Sequence, residues 1–321
     1  MTLPVLFVGN RPLERSENIK AIWDAYDGRK VYATKANPSE VRTAEGRYSC
    51  IVADDFITYI DGKDTVKTIM VTHGMFGDKT YGLQQPHPYH TRRSAEQLDY
   101  VITSSKHTRQ LAAEQCGVDI SKVLALGLPR ADAYHGKCKG DGGTEYASRT
   151  MYLYVPTFRS PMPNTDWDEL DGQLNADETL LVKRHPVTKQ PLLRGKTYKH
   201  IVEIDAYATT TPYLIDCDVV ISDYSSTTFD GYVLGKPSVL YCPDWYSYLN
   251  ERGMAYDYPT EYGSRWLGHH DMRALVDLIR DAKEKGMGQA DRDCLNWVAS
   301  AVDGRSTERV IALIKEVACG S

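Results

Sequence analysis

The sequence predicts an α/β protein of two similar-sized halves, each on a mainly parallel sheet, with a cleft between them. Short β-rich runs alternate with helix-length amphipathic segments along the whole chain. A Gly-dense stretch, His135–Thr144, interrupts that rhythm near the middle. The length, 321 residues, suits two domains of ordinary size. Apolar residues at 42% and charged residues at 25% can build a sizeable core and argue against disorder.

In the first half the candidate strands are Val5–Val8, Cys50–Ala53, Thr68–Thr72, Tyr100–Thr103 and Lys122–Leu126, each a short apolar run. Helical stretches such as Ser16–Tyr26 and Ser105–Cys116 lie between them. The second half repeats the pattern with Met151–Val155, Thr179–Lys183, Ile201–Ile204, Val219–Ser222 and Ser238–Tyr241. Helices are expected at Asp271–Lys285 and Ser306–Val317, where Val310, Leu313, Ile314 and Val317 recur on one face. Four glycines among the ten residues His135–Thr144 have little reason to order, so this stretch reads as a linker. The domains are therefore expected at 1–140 and 141–321, with the last helix able to pack back on the first.

Lys plus Arg is 38 and Asp plus Glu is 43, a net charge of -5. This excludes a broadly basic nucleic-acid or membrane-surface coat, and gives peripheral membrane association no support. The seven cysteines form no close pairs or Cys-x-x-Cys motif, which predicts reduced thiols rather than disulfides or a zinc site. With no stretch long enough to span a bilayer, the expectation is a soluble, cytoplasmic protein. Tyr at 22 against Phe at 5 suits wet clefts and moderately polar surfaces.

The most informative segment runs from Asp218 to Asp230. Val219–Ile221 make a buried strand, and Ser222-Asp223-Tyr224-Ser225-Ser226 a tight polar turn. A helix should follow, with Ser225 or Ser226 as its N-cap. Hydroxyls and free N–H groups at that point suit an anion, although a plain capping turn has the same look. Leu181-Val-Lys-Arg-His-Pro186 is a second strand end, bringing Lys183 and His185 to the same edge. Such a pair can hold a phosphate or protonate a leaving group. A third strand end delivers Thr157 and Arg159.

In the first half, Ile69-Met-Val-Thr-His-Gly74 places His73 at a strand terminus, suited to a general base or to a structural hydrogen bond. Asp78 follows, then a Tyr81–Tyr89 loop with the composition of a ligand cover. Arg130 leaves another strand-to-turn exit. There is no Gly-x-Gly-x-x-Gly, P-loop, His-Glu-x-x-His or Gly-x-Ser-x-Gly. Asp166-Trp-Asp168 sits in a Pro/Asn loop and reads as solvated surface. No metal ligand set and no cofactor motif is expected.

These residues resemble the CDP-glycerol glycerophosphotransferases of teichoic-acid and capsule synthesis. The resemblance runs in order through Thr72-His73-Gly74, Gly127-Leu-Pro-Arg-Ala-Asp132, Val155-Pro-Thr-Phe-Arg159, Lys183-Arg-His-Pro186 and Asp218 to Asp230. It continues through Leu234-Gly-Lys-Pro237, Tyr241-Cys-Pro-Asp244 with Tyr248, Glu251-Arg-Gly253, and Asp303-Gly304 with Glu308-Arg309. It implies a GT-B-like fold, an acceptor-side first domain, a donor-binding second domain and metal-independent transfer. His73 is then the base for the acceptor hydroxyl, with Gly74, Asp78 and Arg130 beside it. His185 and Lys183 stabilise the phosphates or the departing CMP. Ser225, Ser226 and the helix they open cradle the diphosphate, with Arg159, Ser222, Asp223, Thr227 and Asp230 completing the donor set. The implied partners are a nucleotide-activated donor and a hydroxyl-bearing acceptor, whether glycan, lipid-linked or other. After His73-Gly74 the chain reads Met75-Phe-Gly-Asp-Lys79 where the family has Thr-Pro-Leu-Lys, and this leaves the acceptor open. A GT-B glycosyltransferase with a nucleotide-sugar donor is the alternative, and a non-catalytic nucleotide-binding module is a further one.

Overall fold

The computed structural model describes residues 3–34, 41–57, 60, 63–72, 74–77, 80–85, 92–255 and 265–319. The chain divides into two compact units, Met1–His135 with Trp297–Ser321, and Gly136–Asn296.

Among the described residues, each unit contains one six-stranded parallel sheet. In the first, β1 (Val5–Gly9), β2 (Lys30–Thr34), β3 (Cys50–Ala53), β4 (Lys67–Met70), β5 (Tyr100–Thr103) and β6 (Val123–Ala125) lie in the order β2-β1-β3-β4-β5-β6. In the second, β7 (Thr150–Tyr154), β8 (Glu178–Val182), β9 (Ile201–Glu203), β10 (Val219–Ser222), β11 (Ser238–Tyr241) and β12 (Trp266–Leu267) lie in the order β12-β11-β10-β7-β8-β9. Parallel strands need crossovers, which explains the helix-length spacing between apolar runs. β7 and β10 are neighbours where the winding reverses, the point at which open α/β sheets bind ligands beyond their strand ends.

Two strands escape the sequence pattern. β2 alternates polar and apolar residues and is mostly half-buried at its sheet edge, and β12 has only two residues. The Ser105–Cys116 helix begins later, at Arg109. Before it, Ser105 Oγ bonds Ser300 Oγ and accepts from His107 N, so side-chain bonds replace the first helical turn.

The final helix, Ser306–Cys319, belongs to the first unit. Val310, Leu313, Ile314 and Val317 pack with Val5, Phe7, Ile19, Ile22 and Val52. Its start is anchored by Asp132, whose carboxylate accepts from Ser306 N and Thr307 N at 2.9 and 2.6 Å. Gly127 (φ 96°) lies against this helix start, where a Cβ would come within 2.2 Å of Ser306 Oγ.

The Gly-dense stretch is not a free linker. Asp216 Oδ1 accepts from Gly140 N and Gly142 N, and Oδ2 from Thr144 N and Thr144 Oγ1, at 2.7–3.0 Å. Lys139 also reaches Asp218 at 2.6 Å. One carboxylate supplies the order that composition lacks, and the loop joins the second unit.

Tyrosine usage also differs from the expectation of wet surfaces. Tyr152, Tyr224, Tyr232, Tyr241 and Tyr248 are among the largest fully buried side chains. Tyr152 donates to Glu178 at 2.7 Å, Tyr224 to Asp244 at 3.1 Å, and Tyr241 pairs with His270 Nδ1 at 2.9 Å. Each brings an apolar ring and a bonded hydroxyl into the core.

Candidate active site

The second unit collects four strand exits at one edge, because β7, β8, β10 and β11 all run parallel. The β10 exit is Asp223-Tyr224-Ser225-Ser226, leading into the helix Thr227–Val233. Gly231 lets this helix lie close to β10, since a Cβ there would be 2.9 Å from Val220. Ser226 is the N-cap residue but makes no side-chain cap bond. Ser225 Oγ instead accepts from Thr227 N at 3.3 Å and donates to Thr227 Oγ1 at 3.0 Å. Ser225, Ser226 and Thr227 are half-buried while residues 221–224 and 228–230 are buried, so three consecutive hydroxyls mark the one accessible stretch of this turn.

Arg159 and Asp223 pair with one another at these strand exits. Arg159 is 8% exposed and its guanidinium is spent on two carboxylates. Nη1 donates to Asp223 Oδ2 at 2.5 Å, while Nε and Nη2 form a two-pronged pair with Asp244. Asp223 is fully buried and also accepts from Thr157 N and Tyr224 N at 2.8 and 2.6 Å. Burial opposes the Arg159 charge, but Asp223 and Asp244 outweigh it and hold the guanidinium above its ordinary value. Tyr224 and Tyr248 stack at 3.7 Å, with the guanidinium 5.2 and 5.8 Å from their centroids. Arg159 therefore ties the β7, β10 and β11 exits together. Ser222, fully buried with its hydroxyl toward Val155 O, is likewise part of the scaffold, and Asp230 is buried inside its helix.

The β8 exit carries the other candidates. Lys183 is buried and its ammonium donates to Ala206 O at 3.0 Å. His185 is half-buried, and its Nδ1 accepts from Val187 N at 3.2 Å. That bond makes Nε2 the protonated nitrogen of the neutral ring, so the imidazole is a donor at Nε2. Phe158 lies 6.1 Å from the ring. The loops leaving β7 and β8 enclose a cavity of about 610 Å³, lined by Tyr154, Phe158, Met162, Trp167, Thr188 and Leu192 among others. Among the described residues, the buried Thr157, Thr188 and Thr228 hydroxyls have no hydrogen-bond partner.

In the first unit, His73 and Asp78 lie outside the described residues, as do residues 86–89 of the expected cover loop. Their neighbours are described. Gly74 is half-buried and its carbonyl accepts from Thr72 Oγ1 at 2.9 Å. Thr72 has φ 53°, a rare conformation for a β-branched residue. Arg130 Nη1 is 3.9 Å from Glu17, and Arg130 N donates to Asn18 Oδ1 at 2.9 Å. Sequence reasoning missed Asn18 and the role of Asp244. Asp244 had a visible signal as the Asp of the strand-exit motif Tyr241-Cys-Pro-Asp244. Asp166 and Asp168 behave as surface groups, the first capping the helix Trp167–Gln173 and the second pairing with Lys196 at 2.7 Å. No cluster of three or more His, Cys, Asp or Glu is grouped to hold a metal among the described residues.

A sequence model of the CDP-glycerol:poly(glycerophosphate) glycerophosphotransferase family matches residues 14–316. The chain belongs to this family. It is 26% identical to the teichoic acid poly(ribitol-phosphate) polymerase of Bacillus spizizenii, over 81% of this chain and 45% of that protein. It is 25% identical to the teichoic acid glycerol-phosphate primase of Bacillus subtilis, over 83% of this chain and 73% of that one. The chain thus spans less than half the length of the polymerase. In fold it is similar to the wall teichoic acid polymerase TagF, with TM-score 0.79, 17% identity, and 99% and 89% of the two chains covered. The Methanocaldococcus jannaschii UDP-GlcNAc 2-epimerase shares the architecture at TM-score 0.57 and 14% identity, over 98% of this chain and all of that one. The GT-B-like class of two parallel-sheet units is thereby established for a family member.

Proposed function

We propose that the chain transfers a glycerol-phosphate-like group from a CDP-activated donor to an acceptor hydroxyl, releasing CMP. The observation that carries this reading is the β10 exit, where Ser225, Ser226 and Thr227 present hydroxyls at the β7/β10 reversal, two strands from the β8 exit that carries His185. Family membership supplies the reaction class.

In this reading the acceptor oxygen attacks the phosphorus that bears the polyol. A new P–O bond forms as the bond to CMP breaks. His73 takes the hydroxyl proton, and CMP leaves as its phosphate. His185 donates a hydrogen bond from Nε2 to the charge that grows on the phosphoryl or leaving oxygens. Ser225, Ser226 and Thr227 hold the diphosphate, while the Arg159 clamp sets the turn that carries them. Phosphoryl transfer depends on positioning and charge stabilisation, so no protein nucleophile is needed. Cys50, Cys116, Cys217, Cys242 and Cys294 are buried free thiols, which supports a reducing, cytoplasmic setting.

The test is a donor panel of CDP-glycerol, CDP-ribitol, UDP-sugars and GDP-sugars, each offered with a polyol-phosphate primer. CMP release with a CDP-polyol is the expected result. Turnover only with a sugar nucleotide, releasing a nucleoside diphosphate, would overturn the reading.

A further inference from the structure

Asn18 sits in the first turn of the helix Glu17–Ala25 and is 2% exposed, yet its side chain reaches away from that helix. Nδ2 donates to Thr72 O at 2.9 Å, 54 residues away, and Oδ1 accepts from Arg130 N at 2.9 Å, 112 residues away. One buried amide thus joins the exits of β4 and β6. The Thr72 carbonyl is half of the peptide bond to His73. Thr72 also holds φ 53°, and its hydroxyl donates to Gly74 O.

A β-branched residue in the left-handed region is a genuine outlier, and it persists only where its surroundings over-determine it. A turn needing only positive φ is satisfied by glycine at no steric cost. Here a threonine is held instead, by the Asn18 donor on its carbonyl and by its own hydroxyl on the Gly74 carbonyl.

We propose that Asn18 is a positioning residue for His73, fixing the left-handed turn from which the base is delivered and locking it to the Arg130 loop. The inference rests on the reading of His73 as the base. Asn18 touches no substrate in this scheme; it holds the carbonyl of the residue that precedes His73 in the chain.

The test compares Asn18→Ala and Asn18→Asp with wild type, His73→Ala and the Asn18→Ala/His73→Ala double variant, with CDP-glycerol as donor. Asn18→Asp keeps the size and the acceptor toward Arg130 N, but sets an oxygen against Thr72 O, so it carries the same test if the alanine variant folds poorly. The expected result is a kcat lowered at least tenfold, with donor KM and directly measured CDP-glycerol affinity within twofold of wild type. In the His73→Ala background the Asn18 change should cost less than twofold, because the group it serves is gone. Wild-type kcat in a folded Asn18 variant, an equal loss of donor affinity, or a fully additive loss in the double variant would each overturn the inference while leaving the base assignment intact. A His73→Ala enzyme with wild-type turnover would remove the base assignment itself, and the inference with it.

Discussion

Arg159 and Asp244 meet through a two-pronged pair, Nε to Oδ2 at 2.5 Å and Nη2 to Oδ1 at 3.0 Å, while Nη1 of the same guanidinium grips Asp223. The cation that the sequence offers as a phosphate ligand is also the rivet of three strand exits. Removing Asp223 leaves Arg159 paired with Asp244 but takes the buried acceptor from Arg159 Nη1, Thr157 N and Tyr224 N. Asp223→Ala should therefore cost about 3–5 kcal/mol of stability, read from the urea midpoint. Asp244→Ala should cost less, because that carboxylate is partly exposed. Arg159→Lys should not rescue the clamp, since an ammonium cannot reproduce the fork.

The hydroxyl row makes a sharper distinction. Ser225→Ala and Ser226→Ala should each remove about 1 kcal/mol of donor binding, roughly a fivefold rise in donor KM. Ser222→Ala should leave donor KM unchanged, because its hydroxyl is buried toward Val155 O. Equal effects at all three positions would place the diphosphate elsewhere.

His185→Ala should lower turnover by about 10²-fold or more, the usual order for a lost proton-donating group. Donor affinity should fall far less. Direct titration of the inactive variant with CDP-glycerol separates the two quantities.

Acid stability should carry the signature of Glu178. Burial raises its pKa, but Arg280, the Asn175 N–H and the Tyr152 hydroxyl outweigh burial and hold it down at about 2 against an ordinary 4.5. A depressed carboxylate contributes stability that is fully present above its unfolded value and is lost as pH falls. The denaturant midpoint should thus decline between about pH 4.5 and 2, and Glu178→Gln should flatten that part of the profile.

Asp216 makes the Gly136–Thr144 loop testable by proteolysis. Removing a carboxylate that accepts four hydrogen bonds should release the loop. Asp216→Ala should be cut by trypsin at the exposed Lys137 and Lys139 much faster than wild type, with fragments identified by mass.

Much of the fold was legible because buried parallel strands must be short apolar runs with helix-length crossovers. Val5–Val8, Cys50–Ala53 and Val219–Ser222 announce themselves in this way. Lys30–Thr34 did not, because an edge strand needs burial on only part of its surface. The candidate site was legible in outline through the motifs that end each strand, and ambiguous in detail. Arg159 and Ser225 look equally ready for a phosphate in the sequence, yet one is spent on carboxylates and the other stays accessible.

By itself, then, the sequence determined the α/β class, ten of the twelve strands among the described residues and the family, since these follow from local pattern and motif order. Tertiary structure alone decided which polar groups neutralise one another. Arg159 finds Asp244 85 residues on, Asn18 bridges Thr72 and Arg130, and Asp216 orders a glycine loop 72–76 residues upstream. A charge can meet a ligand only if no nearer partner takes it, and that competition is settled by distances that exist only once the strands lie side by side.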